Sequence, residues 1–213
     1  MTGFPKPYFL FLAFASFLAA VALTGCGSTS FPFSFSGDTQ NKMIVSVRDQ
    51  KMLLVHDGTP VKSYKISTSK FGVGDRPGSN CTPLGRLQVA KKIGDKAPIG
   101  SVFKTRRPTG EVIKPNAPGR DPVVTRILWL TGTESRNQNA YRRTIYIHGT
   151  PEECRLGSPA SYGCIRMGSR DVADLYNRIG TGADVFVIRG SIQSKKDEPS
   201  SASVEKSGEI PRS

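Results

Sequence analysis

The chain has 213 residues, 30 Lys+Arg against 17 Asp+Glu, a formal charge of +13, and is 37% hydrophobic and 22% charged. That describes one folded domain with flanking segments and enough apolar content for a core, so wholesale disorder is excluded. Four cysteines are too few for a disulfide-framework miniprotein, and two histidines, His56 and His148, exclude His-rich metal chemistry.

Lys6 precedes an uncharged apolar run, Tyr8–Ala22. The run is short for a membrane span, which takes about 20 residues, and right for the apolar core of a signal peptide. It ends in Leu23-Thr24-Gly25-Cys26, which resembles the bacterial lipobox, against the plainer reading of an ordinary secretory cut beside an incidental cysteine. The expectation is a lipoprotein signal peptide over 1–25, lipidation of Cys26, and an exported, envelope-localised, membrane-anchored protein. A basic chain outside the cytoplasm meets anionic lipids, wall polymers or acidic peptides. Nucleic acid is a poor partner for it, because no aromatic residues interleave with a Lys/Arg stripe.

Residues 26–41 are Ser/Phe/Gly-rich and aperiodic, and read as a flexible tether. The folded domain is expected over 42–192. Met43–Arg48 and Met52–His56 flank Asp49-Gln50-Lys51 as a hairpin, and Asp57-Gly58 turns the chain into the alternating Val61–Ser67. Gly85–Lys91, Val124–Leu130, Thr144–His148 and Asp184–Arg189 continue the strand series. One helix precedes the last of these strands, with Val172, Leu175, Tyr176 and Ile179 at helical spacing, Ser169 placed to cap, Asp171 in the first turn, and Gly180 and Gly182 as the stop. Many short strands with one helix predict a mainly β fold, a sandwich or barrel. The Gly-, Pro- and Arg/Lys-rich stretch Ile93–Arg120 reads as a long flap loop over a site. Residues 193–213 read as a disordered tail.

The chemistry concentrates in Ile145–Met167. His148 ends an apolar strand and is followed by Gly149; sixteen residues later Cys164 follows Gly163 in Ser161-Tyr162-Gly163-Cys164-Ile165-Arg166-Met167. A thiol is a modest nucleophile at neutral pH unless a nearby imidazole takes its proton. Gly163 permits unusual dihedrals, and the N–H groups of Gly163 and Cys164 are candidate oxyanion donors. Taken singly, a strand-end histidine is more often structural and a Gly-Cys pair more often a buried turn. A zinc site from His148, Cys154 and Cys164 with Glu152 or Glu153 has no C-x-x-C or H-x-x-x-H element behind it, so no metal is expected.

These residues resemble the L,D-transpeptidase (YkuD-type) catalytic family, whose signature is a His, a gap, then Ser/Thr-His-Gly-Cys. The match includes His148–Thr150, Ser161–Met167, the D-x-x-x-L-Y-x-x-I run from Asp171 to Ile179, and Val61–Ser69 followed by Thr82-Pro83-Leu84-Gly85, together about Met43 to Arg189. The family's second histidine, before Gly-Cys, is here Tyr162. The resemblance implies the family's catalytic fold and a peptidoglycan L,D-transpeptidase without a cofactor. In it Cys164 forms a thioester with a tetrapeptide stem, His148 is the base, and an amine accepts the acyl group for wall crosslinking or protein attachment. The alternatives are an L,D-carboxypeptidase or amidase with water as acceptor, and a non-catalytic wall-binding lipoprotein.

Arg166 resembles the family's C-I-R segment, as a substrate carboxylate contact or a brace, against simple pairing with Asp171 or Asp174. Tyr162, Ser161 and Gly149 are the other substrate-binding candidates, Tyr162 donating a hydrogen bond or packing beside the thiol and Ser161 bonding within its own loop. Trp129 reads as a core or pocket-wall residue. In the family, the segments bearing Cys81 and Cys154 both border the active site. With Cys26 lipidated and Cys164 free, these two are a candidate disulfide in an oxidising exterior.

Overall fold

The computed structural model describes residues 37–192. The expected signal peptide, Cys26 and the tail beyond 192 lie outside these residues. Ten strands and one helix follow in order: β1 (Asn41–Ser46), β2 (Lys51–His56), β3 (Thr59–Ser67), β4 (Gly85–Ile93), β5 (Ser101–Lys104), β6 (Arg107–Val112), β7 (Val123–Gly132), β8 (Tyr146–Gly149), β9 (Ile165–Met167), α1 (Ser169–Arg178) and β10 (Asp184–Ile188). The hydrogen-bonded order β4-β10-β1-β2-β3-β9-β8-β7 returns to β4 through a β4–β7 ladder, so eight strands close into a barrel. Closure removes the unpaired edges an open sheet would expose. Strands β5 and β6 form a hairpin attached to β7 beside its β4 contact, at Val102↔Val124 and Phe103↔Val123.

The alternation of strand side chains supplies the core. Met43 and Val45, Met52 and Leu54, Tyr64 and Ile66, Leu87 and Val89, Leu128 and Leu130, Ile147, Ile165 and Met167, and Val185 and Val187 form one buried cluster. The helix joins it through the expected residues Val172, Leu175, Tyr176 and Ile179. Two turns follow their residues closely. Asp57 and Gly58 both take positive φ, 44° and 80°, as a two-residue hairpin requires. The β5–β6 turn does the same through Thr105 and Arg106, at 51° and 66°.

Four expectations change. The flap is a β-hairpin with a return leg, because Val102 and Phe103 find an apolar bed and β7 offers a free stretch of edge. Ser169 is inside the helix; Gly168 occupies the cap position, and the Ser169 N–H donates to Glu153 Oε1 at 2.8 Å instead. The domain begins before 42: the Asp38 N–H bonds Thr181 O at 2.8 Å and its carboxylate accepts the Gly180 N–H at 2.6 Å, so residues 38–41 belong to the fold and not to the tether. Ile165–Met167, not read as a strand, is β9. Among the described residues no helix is long and apolar enough to cross a membrane.

Candidate active site

Strands β8 and β9 run parallel, with Ile147↔Ile165, His148↔Arg166 and Gly149↔Met167 in register. Ile147, Ile165 and Met167 face the barrel core, so Tyr146, His148, Cys164 and Arg166 lie on the outer face. The antiparallel neighbour β7 extends the same rows, with Ile127 opposite His148 and Trp129 opposite Tyr146. His148 and Cys164 are therefore diagonal neighbours on one face, a placement of about 7–8 Å between backbones that two side chains can bridge. Phe103 of the flap covers this face, packing with Ile127 and Tyr146 beside Cys164, Trp129 and Val123.

Both side chains are held by backbone. The Cys164 sulfur accepts from the Tyr146 N–H at 3.4 Å and its S–H reaches Thr144 O at 3.5 Å. Cys164 is half-buried, not sealed into the core. Burial pushes its thiol up to about 11, against the lowering effects of the Tyr146 N–H and of the charges on Arg143 and Arg166. His148 is 6% exposed, and its Nδ1 lies 2.8 Å from Gly149 O. A carbonyl only accepts, so Nδ1 carries the proton and Nε2 keeps its lone pair. Burial lowers the His148 pKa, countered by the Gly149 carbonyl and by Asp121, while Arg166 lowers it further. At neutral pH both members are thus uncharged at rest.

The turn before Cys164 is over-determined. Gly163 has φ +120°, and a Cβ there would lie 3.3 Å from Cys81 O. Its carbonyl accepts the Thr82 hydroxyl at 3.0 Å, and its N–H donates to Ser161 Oγ at 3.2 Å. The Ser161 hydroxyl in turn donates to Cys164 O at 2.5 Å. Ser161, 3% exposed, is accordingly a brace within the loop. The Gly163 N–H is occupied, whereas the Cys164 N–H has no hydrogen-bond partner among the described residues. Gly149 serves packing and its own carbonyl: an added Cβ would sit 2.6 Å from Val124 O and 3.1 Å from Val172.

Three site expectations are corrected. Arg166 pairs with neither Asp171 nor Asp174; it is 3% exposed, and its Nη1 bonds Asp121 and, at 3.1 Å, Glu152. Asp174 is taken by Lys62, Tyr64 and Arg178. Tyr162 does not pack beside the thiol but is 64% exposed, with its hydroxyl 3.0 Å from Lys70 and its ring 5.4 Å from that of Phe71. The Lys70 ammonium lowers its pKa. Cys81 and Cys154 are free thiols. Cys81 donates to Phe71 O at 3.1 Å, beside the Gly163-Cys164 turn, whereas the Cys154 N–H is pinned to Asn116 Oδ1 at 2.8 Å in front of the helix. Trp129 is a wall residue, stacked on Tyr141 at 4.2 Å and edge-on to Tyr146.

Sequence reasoning missed Asp121, Glu152 as an Arg166 partner, and Arg143. The buried Arg143–Asp75 pair at 3.0 Å also donates to Gly74 O and Cys81 O, tying the 74–81 loop behind Gly163. A cavity of about 360 Å³ lined by Leu84, Arg86, Glu134, Arg136, Phe186 and Arg189 contains no residue of the Cys164 face. Among the described residues no cluster of three metal-ligating side chains occurs. His56 sits exposed at the end of β2 against Asn41, leaving His148 as the imidazole near a cysteine.

The closed eight-stranded barrel thus carries His148 and Cys164 as diagonal neighbours on its outer face, beside the β5–β6 hairpin. The family model of the L,D-transpeptidase catalytic domain (YkuD) matches residues 40–188, and the chain belongs to that family. Solved structures similar to it include an L,D-transpeptidase from Mycobacterium tuberculosis H37Rv, at 19% identity and TM-score 0.46 over 70% of this chain and 58% of that one. Another is the L,D-transpeptidase from Mycobacterium smegmatis, at 15% identity and TM-score 0.45 over 70% and 58%. A third, from Xylanimonas cellulosilytica, has 18% identity and TM-score 0.46 over 72% and 62%. The chain thus spans less than two thirds of these solved chains. Among curated proteins none matches the chain.

Proposed function

We propose that the protein is a peptidoglycan L,D-transpeptidase, exported and lipid-anchored through Cys26, that acylates Cys164 with a tetrapeptide stem and passes the acyl group to an amine. The observation that carries this is the shared outer face of β8 and β9, on which Cys164 and His148 are diagonal neighbours. The imidazole is neutral with Nδ1–H on Gly149 O, so Nε2 is the basic atom. As the sulfur attacks the carbonyl carbon of the third stem residue, His148 Nε2 takes the thiol proton and the oxyanion forms against the Cys164 N–H. The carbon–nitrogen bond breaks, terminal D-Ala leaves with the proton from Nε2, and a thioester remains. An acceptor amine, from another stem or a wall-linked protein, then attacks; its proton passes to Nε2 and back to the departing sulfur.

Burial pushes the Cys164 thiol up to about 11, so in this reading His148 takes its proton during the attack and no standing thiolate is needed. Phe103 of the flap hairpin packs in the cluster that Cys164 borders, so the hairpin partly shelters the sulfur on that side. Purified protein given disaccharide-tetrapeptides with an amine acceptor tests the reading. D-Ala release with crosslinked product, absent in Cys164→Ala, is expected. Trimmed tripeptide alone would move the assignment to a carboxypeptidase, and no turnover by folded protein would leave a wall binder.

A further inference from the structure

The mechanism leaves one buried group unexplained. Arg166 is 3% exposed and directly opposite His148 in the β8–β9 ladder, yet its Nε and Nη2 have no partner among the described residues. Its Nη1 alone receives two carboxylates, Asp121 and Glu152. A buried guanidinium beside the base of a proton-transfer reaction opposes formation of the imidazolium, so something must offset it.

The offset comes from a different part of the chain. Asp121 lies at the end of the return leg from the flap hairpin to β7. One of its carboxylate oxygens takes Arg166 and the other accepts the Thr150 hydroxyl. Thr150 is itself fixed, its N–H on Met167 O at 3.0 Å and its hydroxyl oxygen accepting the Glu152 N–H at 3.1 Å. A second clamp lies alongside: the Asn116 N–H donates to Pro151 O at 2.6 Å and its side chain accepts the Cys154 N–H. The return leg is therefore fastened to the turn that follows His148, and the fastening carboxylate is the one beside Arg166.

We propose that Asp121 and Arg166 are a positioning pair for the His148 imidazole, in which the flap's return leg supplies the carboxylate that keeps a proton-accepting ring workable next to a buried guanidinium. What the imidazole does rests on the transpeptidase reading; where it sits does not. Neither residue is assigned contact with the reacting atoms. The other charged groups on elements around His148 are otherwise engaged. Glu152 is shared between Arg166 and Arg155. Arg126 of β7 donates to Ala97 O and Thr125 O and faces the Tyr176 ring. On α1, Asp174 is held by Lys62 and Arg178, and Asp171 sits in the first turn. Asp121 raises the His148 pKa and Arg166 lowers it.

The chain has two histidines, so an imidazole NMR titration of the full chain resolves His148 with exposed His56 as internal reference. Asp121→Asn, which keeps the acceptor for Thr150, is expected to move the His148 midpoint down by about half a pH unit or more; Arg166→Met is expected to move it up. Arg166→Lys keeps the charge and is expected to stay close to wild type; should Arg166→Met fail to fold, the Asp121→Asn shift decides alone. In turnover, Asp121→Asn is expected to lose about tenfold or more in kcat with little change in KM. Folded Asp121→Asn or Arg166→Met protein that leaves the midpoint unmoved, or the two moving it the same way, overturns the pairing. If wild-type protein releases no D-Ala from tetrapeptide, the transpeptidase reading fails while the opposed titration shifts still decide this one.

Discussion

At Gly149 two demands meet on one residue: its carbonyl fixes the His148 tautomer, and its missing side chain lets β8 pack against Val124 and Val172. Gly149→Ala is expected to cost about 2 kcal/mol or more, read as a lower urea midpoint, since the new methyl would fall on a backbone oxygen. The thiol makes a kinetic prediction. Because burial holds Cys164 near 11, its alkylation by iodoacetamide should keep accelerating well beyond pH 9, where an unperturbed thiol levels off. A plateau near pH 9 would show a sulfur more hydrated than the geometry implies. His148, Gly163 and Cys164 were legible in the sequence because their chemistry is local and their residue types scarce. Asp121 was not, because it meets Arg166 from 45 residues away in a stretch with no periodicity. Nor did the sequence reveal that Tyr162 turns outward to Lys70 and Phe71, which depends on how the 69–72 segment lies beside the Ser161 bridge.

Among the elements, those with two-residue alternation and apolar content were readable: β1–β4, β7, β8 and β10, and the helix by its spacing. The misses share a physical cause. Strand β6 is exposed throughout and carries Pro108 and Gly110, so only its hairpin partner makes it a strand. Strand β9 has three residues, all buried, and so shows no alternation. The helix start was misread because its cap arrives from Glu153, which lies sixteen residues earlier in the chain. Glu153→Gln is expected to cost about 1 kcal/mol by weakening that charge-assisted bond at the helix N-terminus. The hairpin is the element that shelters the sulfur. Phe103→Ala is expected to destabilise the protein by roughly 3 kcal/mol and to raise the alkylation rate of Cys164 at fixed pH; an unchanged rate would deny the hairpin its covering role.

For the domain as a whole, the sequence left sandwich and barrel open, since nothing local says that β4 pairs with β7 on one side and β10 on the other. The buried pair also gives the fold a pH signature. Above His148's ordinary 6.5 the ring is neutral in both folded and unfolded chains. Below it the unfolded chain takes up the proton first, because the folded ring's pKa is lowered, so stability is lost as pH falls from 6.5 toward the folded value. At the alkaline end the unfolded thiol ionises from its ordinary 9.0 while the folded one waits until about 11, and stability falls across that window. Denaturant midpoints of His148→Gln and Cys164→Ala should each flatten the limb that belongs to the missing group.

The central claim is that Cys164 carries the acyl group. Intact-mass analysis of the protein mixed with disaccharide-tetrapeptide and no amine acceptor reads it directly. The expected result is an adduct of the disaccharide-tripeptide acyl group located on Cys164, with one D-Ala released per adduct, suppressed in His148→Gln and absent in Cys164→Ala. An adduct that persists in Cys164→Ala, or folded wild-type protein that releases no D-Ala, would contradict it.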